Sequence, residues 1–340
     1  MKRVITRVIL VLLFIFNPST GYLKTDLSKE LLILEANEIY NFRNNFKKIC
    51  SSKKFFHNLK NHDSYPSFGT IQIWKRKCDF LKGSNGTNFR GFLINNFKFT
   101  KLAAKPGLLT GYYEPSINVS RIKDNKYKYP VLKKHKKFFN ESREKIEKMY
   151  DVEDVLLWTD DKINLFFLHI QGSGLGKFRN NQVIKISYNG NNGLPYTSIG
   201  KYLNKHKLIK NSNINLFSIK EWLRNNPEIS RDVLNLNKRF IFFKTGETKI
   251  DAHAVGAAGF PLTANDSIAI DKRIYPLGLP FIIKFFDKKA IRPVLSLDTG
   301  SAIVGPNRAD LFTGRGGMAE KIAGTLKKKI YLYSVIPYDQ

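Results

Sequence analysis

Leu297-Asp298-Thr299-Gly300-Ser301-Ala302-Ile303, followed closely by Arg308-Ala309-Asp310-Leu311-Phe312, decides how this chain is read. Two aspartates stand twelve residues apart, each in a short, otherwise apolar setting near glycine. A third, Asp271, ends Ser267-Ile268-Ala269-Ile270-Asp271 and is followed by Ile274-Tyr275-Pro276-Leu277-Gly278. A carboxylate among apolar neighbours is costly to bury, so it is either satisfied by hydrogen bonds or held protonated for use. Any one of them alone would be read as a turn aspartate bonding its own backbone. Three together, in a chain with 28 acidic against 57 basic residues, point to carboxylate chemistry.

Asp298-Thr299-Gly300-Ser301 after an apolar strand also matches the aspartic protease signature. That chemistry needs two carboxylates sharing one proton, from two motif copies or a homodimer. No second Asp-Thr-Gly or Asp-Ser-Gly occurs in the 340 residues. Other signals run in order along the chain: Gly107-Leu108-Leu109-Thr110-Gly111-Tyr112-Tyr113-Glu114-Pro115, then Phe167-Leu168-His169-Ile170-Gln171-Gly172-Ser173-Gly174, then Tyr188-Asn189-Gly190-Asn191-Asn192-Gly193-Leu194-Pro195-Tyr196-Thr197-Ser198-Ile199-Gly200. Taken with the aspartate region 256–336, these stretches resemble the MltA-type membrane-bound lytic murein transglycosylases, over about Phe89 to Val335.

The resemblance implies a six-stranded double-psi β-barrel interrupted by a second β domain, with a glycan in the groove between them. On that map 22–111 and 241–340 form the barrel, with a helical lead-in, and 112–240 the insert. It implies cleavage of the β-1,4 bond of peptidoglycan without water, leaving 1,6-anhydromuramoyl ends. Asp310 would be the single acid and then base, its pKa raised by an apolar site. Asp298 would orient the loop or contact substrate. Asp271 would be structural, bonding the turn at Pro276 and Gly278. Tyr112, Tyr113 and Gln171 are candidates for the sugar-binding wall, with Gly111 and Gly172 allowing close approach of a ligand. Asn192 reads as a turn residue first and a binding residue second. Because double-psi barrels also serve expansin-like roles, a non-catalytic glycan-binding or wall-loosening protein is the alternative.

Lys2, Arg3 and Arg7 precede an apolar run from Val8 to Phe16 and a small, polar exit at 17–21, the pattern of an export signal. The run is too short to span a bilayer comfortably. Signal removal near Gly21 is expected. The membrane-bound members carry a lipid on a cysteine directly after the signal; here the first cysteine is Cys50, so a soluble periplasmic protein or an uncleaved anchor is expected, with association to the outer membrane or a wall-remodelling complex left open. Cys50 and Cys78 can form a disulfide or remain two buried thiols. The six histidines are scattered, so no metal and no cofactor are expected.

The formal charge of +29 raises nucleic acid as a partner. The lysines are spread through the chain, and export would remove it from nucleic acid. An anionic wall polymer with peptide-stem carboxylates is the better match, for a protein expected to act as a monomer. Gly172-Ser173-Gly174-Leu175-Gly176-Lys177 is not a phosphate loop, since Phe178 stands where Ser or Thr is required.

Apolar spacing at Leu31, Leu32, Leu34, Ile39, Phe42, Phe46 and Ile49 predicts a helical lead-in over 27–59. Residues 107–113, 163–170, 183–188, 240–244, 281–286, 293–297 and 330–335 read as strands, and 318–326 as a helix. Lys134 to Met149 reads as an exposed loop or helix. Ser218-Ile219-Lys220-Glu221 reads as a capping box opening a helix that stops before Pro227. Short strands, long loops and few helices argue for an α+β or mainly β barrel class.

Overall fold

The structure is a computed structural model that describes residues 23–24, 27–32, 34–83, 88–210, 214–247 and 253–338. The expected export signal, 1–21, lies outside the described residues. The strands are β1 (Leu23–Lys24), β2 (Phe97–Lys101), β3 (Gly107–Glu114), β4 (Ser116–Ser120), β5 (Tyr129–Leu132), β6 (Val155–Thr159), β7 (Gly174–Lys177), β8 (Val183–Asn191), β9 (Ile241–Glu247), β10 (Ser267–Ile270), β11 (Pro280–Phe285), β12 (Ile291–Thr299), β13 (Arg308–Arg315) and β14 (Lys327–Pro337). The helices are α1 (Ser28–Leu32), α2 (Ala36–Cys50), α3 (Lys53–Lys60), α4 (Ile71–Gly83), α5 (Phe89–Asn96), α6 (Arg143–Met149), α7 (Lys162–Gln171), α8 (Ile199–Lys205), α9 (Leu216–Asn225), α10 (Pro227–Asn235) and α11 (Gly316–Thr325).

The first sheet closes on itself. Its order is β1-β2-β14-β11-β12-β10-β13-β3, and the first part of β14 also pairs with β3, from Lys327 opposite Thr110 to Ile330 opposite Gly107. Strands β3, β13, β10, β12, β11 and β14 therefore form a closed ring, which leaves no free edge within it. Two pairs in it, β3/β13 and β10/β12, are parallel and the others antiparallel, consistent with a double-psi barrel.

Its strands are buried without alternation, as at Ser267–Ile270 and Pro280–Ile283, because helices such as α2 cover the outer face. Helix α2 turns Ile39, Phe42, Phe46 and Ile49 inward at helical spacing. Trp74 of α4 lies edge-on to Phe46 and Phe55, and its indole N–H donates to Phe68 O at 2.8 Å.

Cys50 and Cys78 are joined as a disulfide, with Cα atoms 5.4 Å apart, tying the end of α2 to α4. It closes a loop of 28-residue separation. Constraint of the unfolded chain by such a loop is worth about 3–4 kcal/mol. Cys50→Ser/Cys78→Ser is therefore expected to lower the unfolding free energy by about that amount, measured by urea titration. A loss equal to that of a surface serine pair would refute the estimate.

The second sheet has the order β5-β6-β4-β7-β8-β9, and a bridge from Lys133 to Phe243 brings β5 toward β9. Sheet membership changes at Pro115 and after Glu247. Strand β3 carries Tyr112 and Glu114 in pairing with β13 of the barrel sheet, and β9 pairs with β8 in the second sheet.

Residues 163–170 are not a strand but lie in helix α7. Asp161 caps it by accepting from the amides of Ile163 and Asn164, and Gly172, at φ +80°, ends it in the left-handed region. Leu165 and Leu168 pack on the second sheet, while Phe166 and Phe167 pack against α8, α9 and α10. Burial on both sides erases the helical period, and an unbroken apolar run is ambiguous between strand and buried helix. Helices are also more numerous than the sequence pattern suggested. The cap of α9 is Asn215, with Ser218 at its third position rather than at the cap. The stop before Pro227 holds, because Pro227 opens α10 as its first residue.

Candidate active site

Asp310 lies in β13 and Asp298 at the end of β12, with β10 between them. Ala269 of β10 is the register partner of both, and Asp310 is in turn opposite Thr110 of β3. Asp298, Ala269, Asp310 and Thr110 thus form one row across four adjacent strands. Strands sit about 4.8 Å apart, so the two aspartate Cα atoms are separated by roughly 10 Å. Loop distance along the chain plays no part in that spacing.

The Thr110 hydroxyl donates to Asp310 Oδ1 in a short hydrogen bond, and Arg308 Nη2 donates to Thr110 Oγ1 at 2.8 Å. A guanidinium can only donate. The threonine proton is therefore committed to Asp310 Oδ1, which leaves Oδ2 as the oxygen free to carry a proton. Burial pushes the Asp310 carboxyl above its ordinary range, helped by the charge of Asp298, against the Thr110 bond and Arg308.

Asp298 is held differently. Its Oδ1 accepts from the amides of Ala257 at 3.0 Å and Thr299 at 2.9 Å, and its Oδ2 from the Tyr112 hydroxyl at 3.1 Å. Burial raises its pKa too, opposed by those three donors. Tyr112 is kept protonated by burial and by the charges of Asp298 and Asp310, so it remains a donor. Its ring lies 5.3 Å from that of Phe312.

Asp271 is 3% exposed and does not bond the turn at Pro276 and Gly278 as expected. Instead it accepts from Arg273 Nε at 2.9 Å, Arg273 Nη2 at 2.6 Å, Arg273 N at 3.1 Å and Gly305 N at 2.9 Å. These bonds tie the turn after β10 to the loop between the two other aspartates, and the Arg273 side chain above all holds the carboxyl well below its usual range. A depressed folded-state pKa stabilises above the unfolded value and is lost as pH falls through and below it. Asp271→Asn is expected to cost about 1–3 kcal/mol at neutral pH and progressively less below pH 4. Melting curves at pH 3 and pH 7 test this; equal losses at both would contradict it.

The remaining candidates divide. The Gln171 side-chain oxygen accepts from Tyr113 N at 3.3 Å, at the end of α7. Tyr113 is turned away from the row: it is 5% exposed and its hydroxyl donates to Glu320 at 2.9 Å. Gly111 does not open space for a ligand, since a Cβ there would stand 2.8 Å from Ala323 Cα of α11. Gly172 is required by its positive φ as the end of α7. Asn192 is fully buried; its amide donates to Glu141 O at 2.7 Å and Lys238 O at 2.8 Å, and its oxygen accepts from Phe240 N at 2.9 Å. Every polar atom of that side chain is used internally, so it is a structural pin.

Thr110 and Arg308 were overlooked in the sequence. Strand alternation carries the signal: Thr110 and Tyr112 are two apart in β3, and Arg308 and Asp310 two apart in β13, so each pair shares a face. Among the described residues no group of three or more His, Cys, Asp or Glu could hold a metal ion.

Two family models match, "MltA specific insert domain" over residues 108–244 and "3D domain" over 266–336. A "Membrane-bound lytic murein transglycosylase A homolog" of Buchnera aphidicola is 29% identical over 95% of this chain and 93% of its own length. The structure of a membrane-bound lytic murein transglycosylase from Agrobacterium tumefaciens superposes with a TM-score of 0.76 at 26% identity, covering 88% of this chain and 93% of that one. The lytic transglycosylase LtgG of Burkholderia pseudomallei is 32% identical, covering 78% of this chain and 85% of its own, with a TM-score of 0.53.

Proposed function

Because the chain belongs to the membrane-bound lytic murein transglycosylase A family, we propose that it cleaves the MurNAc–GlcNAc β-1,4 bond of peptidoglycan by an internal transfer, with Asp310 as the acid and base. The observation that carries this reading is the asymmetry of the two carboxyls. Asp310 and Asp298 are both half-buried, but Asp310 has a single side-chain donor, Thr110, while Asp298 accepts three hydrogen bonds. Burial raises both carboxyls, and the three donors on Asp298 favour its charged form, which leaves Asp310 as the better holder of the proton.

Asp310 Oδ2 gives its proton to the glycosidic oxygen as the C1–O bond breaks. The resulting carboxylate then takes the proton of the C6 hydroxyl, whose oxygen forms the new bond to C1. Atoms balance without water, and Asp310 ends protonated as it began. Ordinary glycosidases need a second carboxyl to activate water or act as nucleophile; here Asp298 fixes the end of β12 and adds negative charge that favours the protonated form of Asp310.

The barrel and the inserted sheet are read as two domains walling the glycan groove, with Tyr112 and Gln171 at its sides. The disulfide supports an oxidising, exported location. Among the described residues no helix is long and apolar enough to cross a membrane. The test is incubation of murein sacculi with the protein and mass analysis of the soluble products. Anhydro ends are expected. Ordinary reducing ends would make the protein a hydrolase and overturn the mechanism, and binding without release would favour the wall-loosening alternative.

A further inference from the structure

A cavity of about 150 Å³ lies within the insert, lined by none of the aspartate-row residues. A water occupies about 10–15 Å³ by this measure, so the space takes on the order of ten heavy atoms. Exposed Lys128 and half-buried Glu147 and Lys162 mark its mouth, and the buried side chains of Arg143, Phe166, His169 and Phe240 its floor.

The floor is chemically unusual. Arg143 is 2% exposed and stacked between Phe166 and Phe240, its guanidinium carbon 4.9 Å from each ring centre. It donates to Asn237 O at 3.1 Å, to Arg239 O at 2.8 Å and to His169 Nδ1 at 2.9 Å. Since a guanidinium only donates, Nδ1 must accept, and the one proton of a neutral imidazole sits on Nε2. Burial first and the Arg143 charge second hold His169 in that neutral form. Its Nε2 is buried without a protein partner, an N–H donor left unpaired in a wall of aromatic rings.

The charges at the cavity do not balance. Lys128, Arg143 and Lys162 stand against Glu147 alone, and Glu147 is already engaged by Lys162 at 2.6 Å. A complementary ligand would bring a negative charge, an acceptor for Nε2–H and a short apolar body for the ring walls. An aliphatic carboxylate has all three.

We propose that this cavity is a second binding site, distinct from the aspartate row, for the terminal carboxylate of a short peptide ending in alanine. It rests on the peptidoglycan reading for its source, the uncross-linked stem peptide of the wall. Seated there, the stem would hold the insert to the strand whose glycan lies at the barrel.

The test uses the whole protein labelled with ¹⁵N-histidine and titrated with acetyl-D-alanyl-D-alanine and with its C-terminal amide. The expected result is a saturable shift of the His169 Nε2–H signal, with the amide binding at least ~10-fold more weakly, a difference of about 1.4 kcal/mol. His169→Phe should abolish the binding, while cleavage of glycan strands stripped of peptide is unchanged. Lys128→Glu, an exposed change that leaves the fold intact, should weaken binding several-fold. No shift at saturating concentration, equal binding of the amide, or unchanged affinity in Lys128→Glu would each overturn the proposal. Loss of cleavage of peptide-free glycan is a separate readout, so failure of the enzymatic reading is seen independently.

Discussion

Replacing Asp310 by asparagine is expected to reduce anhydromuropeptide release by roughly 10²–10⁴-fold, the range typical of a general acid–base residue, while the protein still folds and binds sacculi. The amide keeps the shape and can still accept from Thr110, but it has no transferable proton. Release of product by mass spectrometry, alongside sacculus pull-down, separates chemistry from binding. Asp298→Asn should lose less, since it disturbs the end of β12 and the local charge without removing the proton carrier. An active Asp310→Asn beside a dead Asp298→Asn would reverse the assignment.

The same substitution has a stability signature of definite sign. Burial raises the folded-state pKa of Asp310. Its contribution is therefore favourable below the unfolded value and is lost as pH rises through the raised one. Asp310→Asn should accordingly be as stable as the parent or more so at neutral pH, with the advantage vanishing in acid. Activity should fall as pH rises through the same pKa, because the first step needs the protonated acid. A variant destabilised at neutral pH would contradict this account of the Asp310 carboxyl.

A large effect on stability is also expected at Glu114. It is 2% exposed at the end of β3 and takes Arg315 Nε at 2.5 Å, with Lys185 of β8 in close contact on its other oxygen. The carboxylate thus bridges the barrel to the inserted sheet, next to Pro115, where the chain leaves one for the other. Removing one member of a buried ion pair costs about 3–5 kcal/mol. The two cations keep 17% and 27% exposure, so the low end, about 3 kcal/mol, is expected for Glu114→Gln. Urea titration with fluorescence measures it, and limited proteolysis should show the insert released first. A loss near that of an exposed ion pair, below about 1 kcal/mol, would show that the junction does not depend on this carboxylate.

Asp310 and Asp298 were legible because an acid set in a short apolar run near glycine is rare enough to notice, and three such acids occur here. The barrel strands 281–286, 293–297 and 330–335 and helix 318–326 were legible because the apolar runs are bounded by turns. The helical lead-in was legible from its spacing, with breaks at 34–35 and 51–52 that the spacing did not mark. Where side chains on every face of an element are buried, periodicity carries no information, and α7 read as a strand for that reason.

Composition and local pattern thus argued for a carboxylate-bearing α+β or mainly β barrel class with a stapled or thiol-bearing helical start, and the resemblance added the double-psi barrel. Only the tertiary structure decided that Ala269 sets Asp298 and Asp310 in one row with Thr110, because strand register is fixed by pairing between residues 29, 41 and 200 positions apart in sequence. It decided that Cys50 and Cys78 are joined, and that Tyr113 and Asn192 serve the packing rather than a ligand. A side chain's direction depends on which partner satisfies it, and those partners lie far away in the sequence. The same holds for Arg143 and His169, twenty-six residues apart in sequence, whose single hydrogen bond leaves one ring N–H unmet.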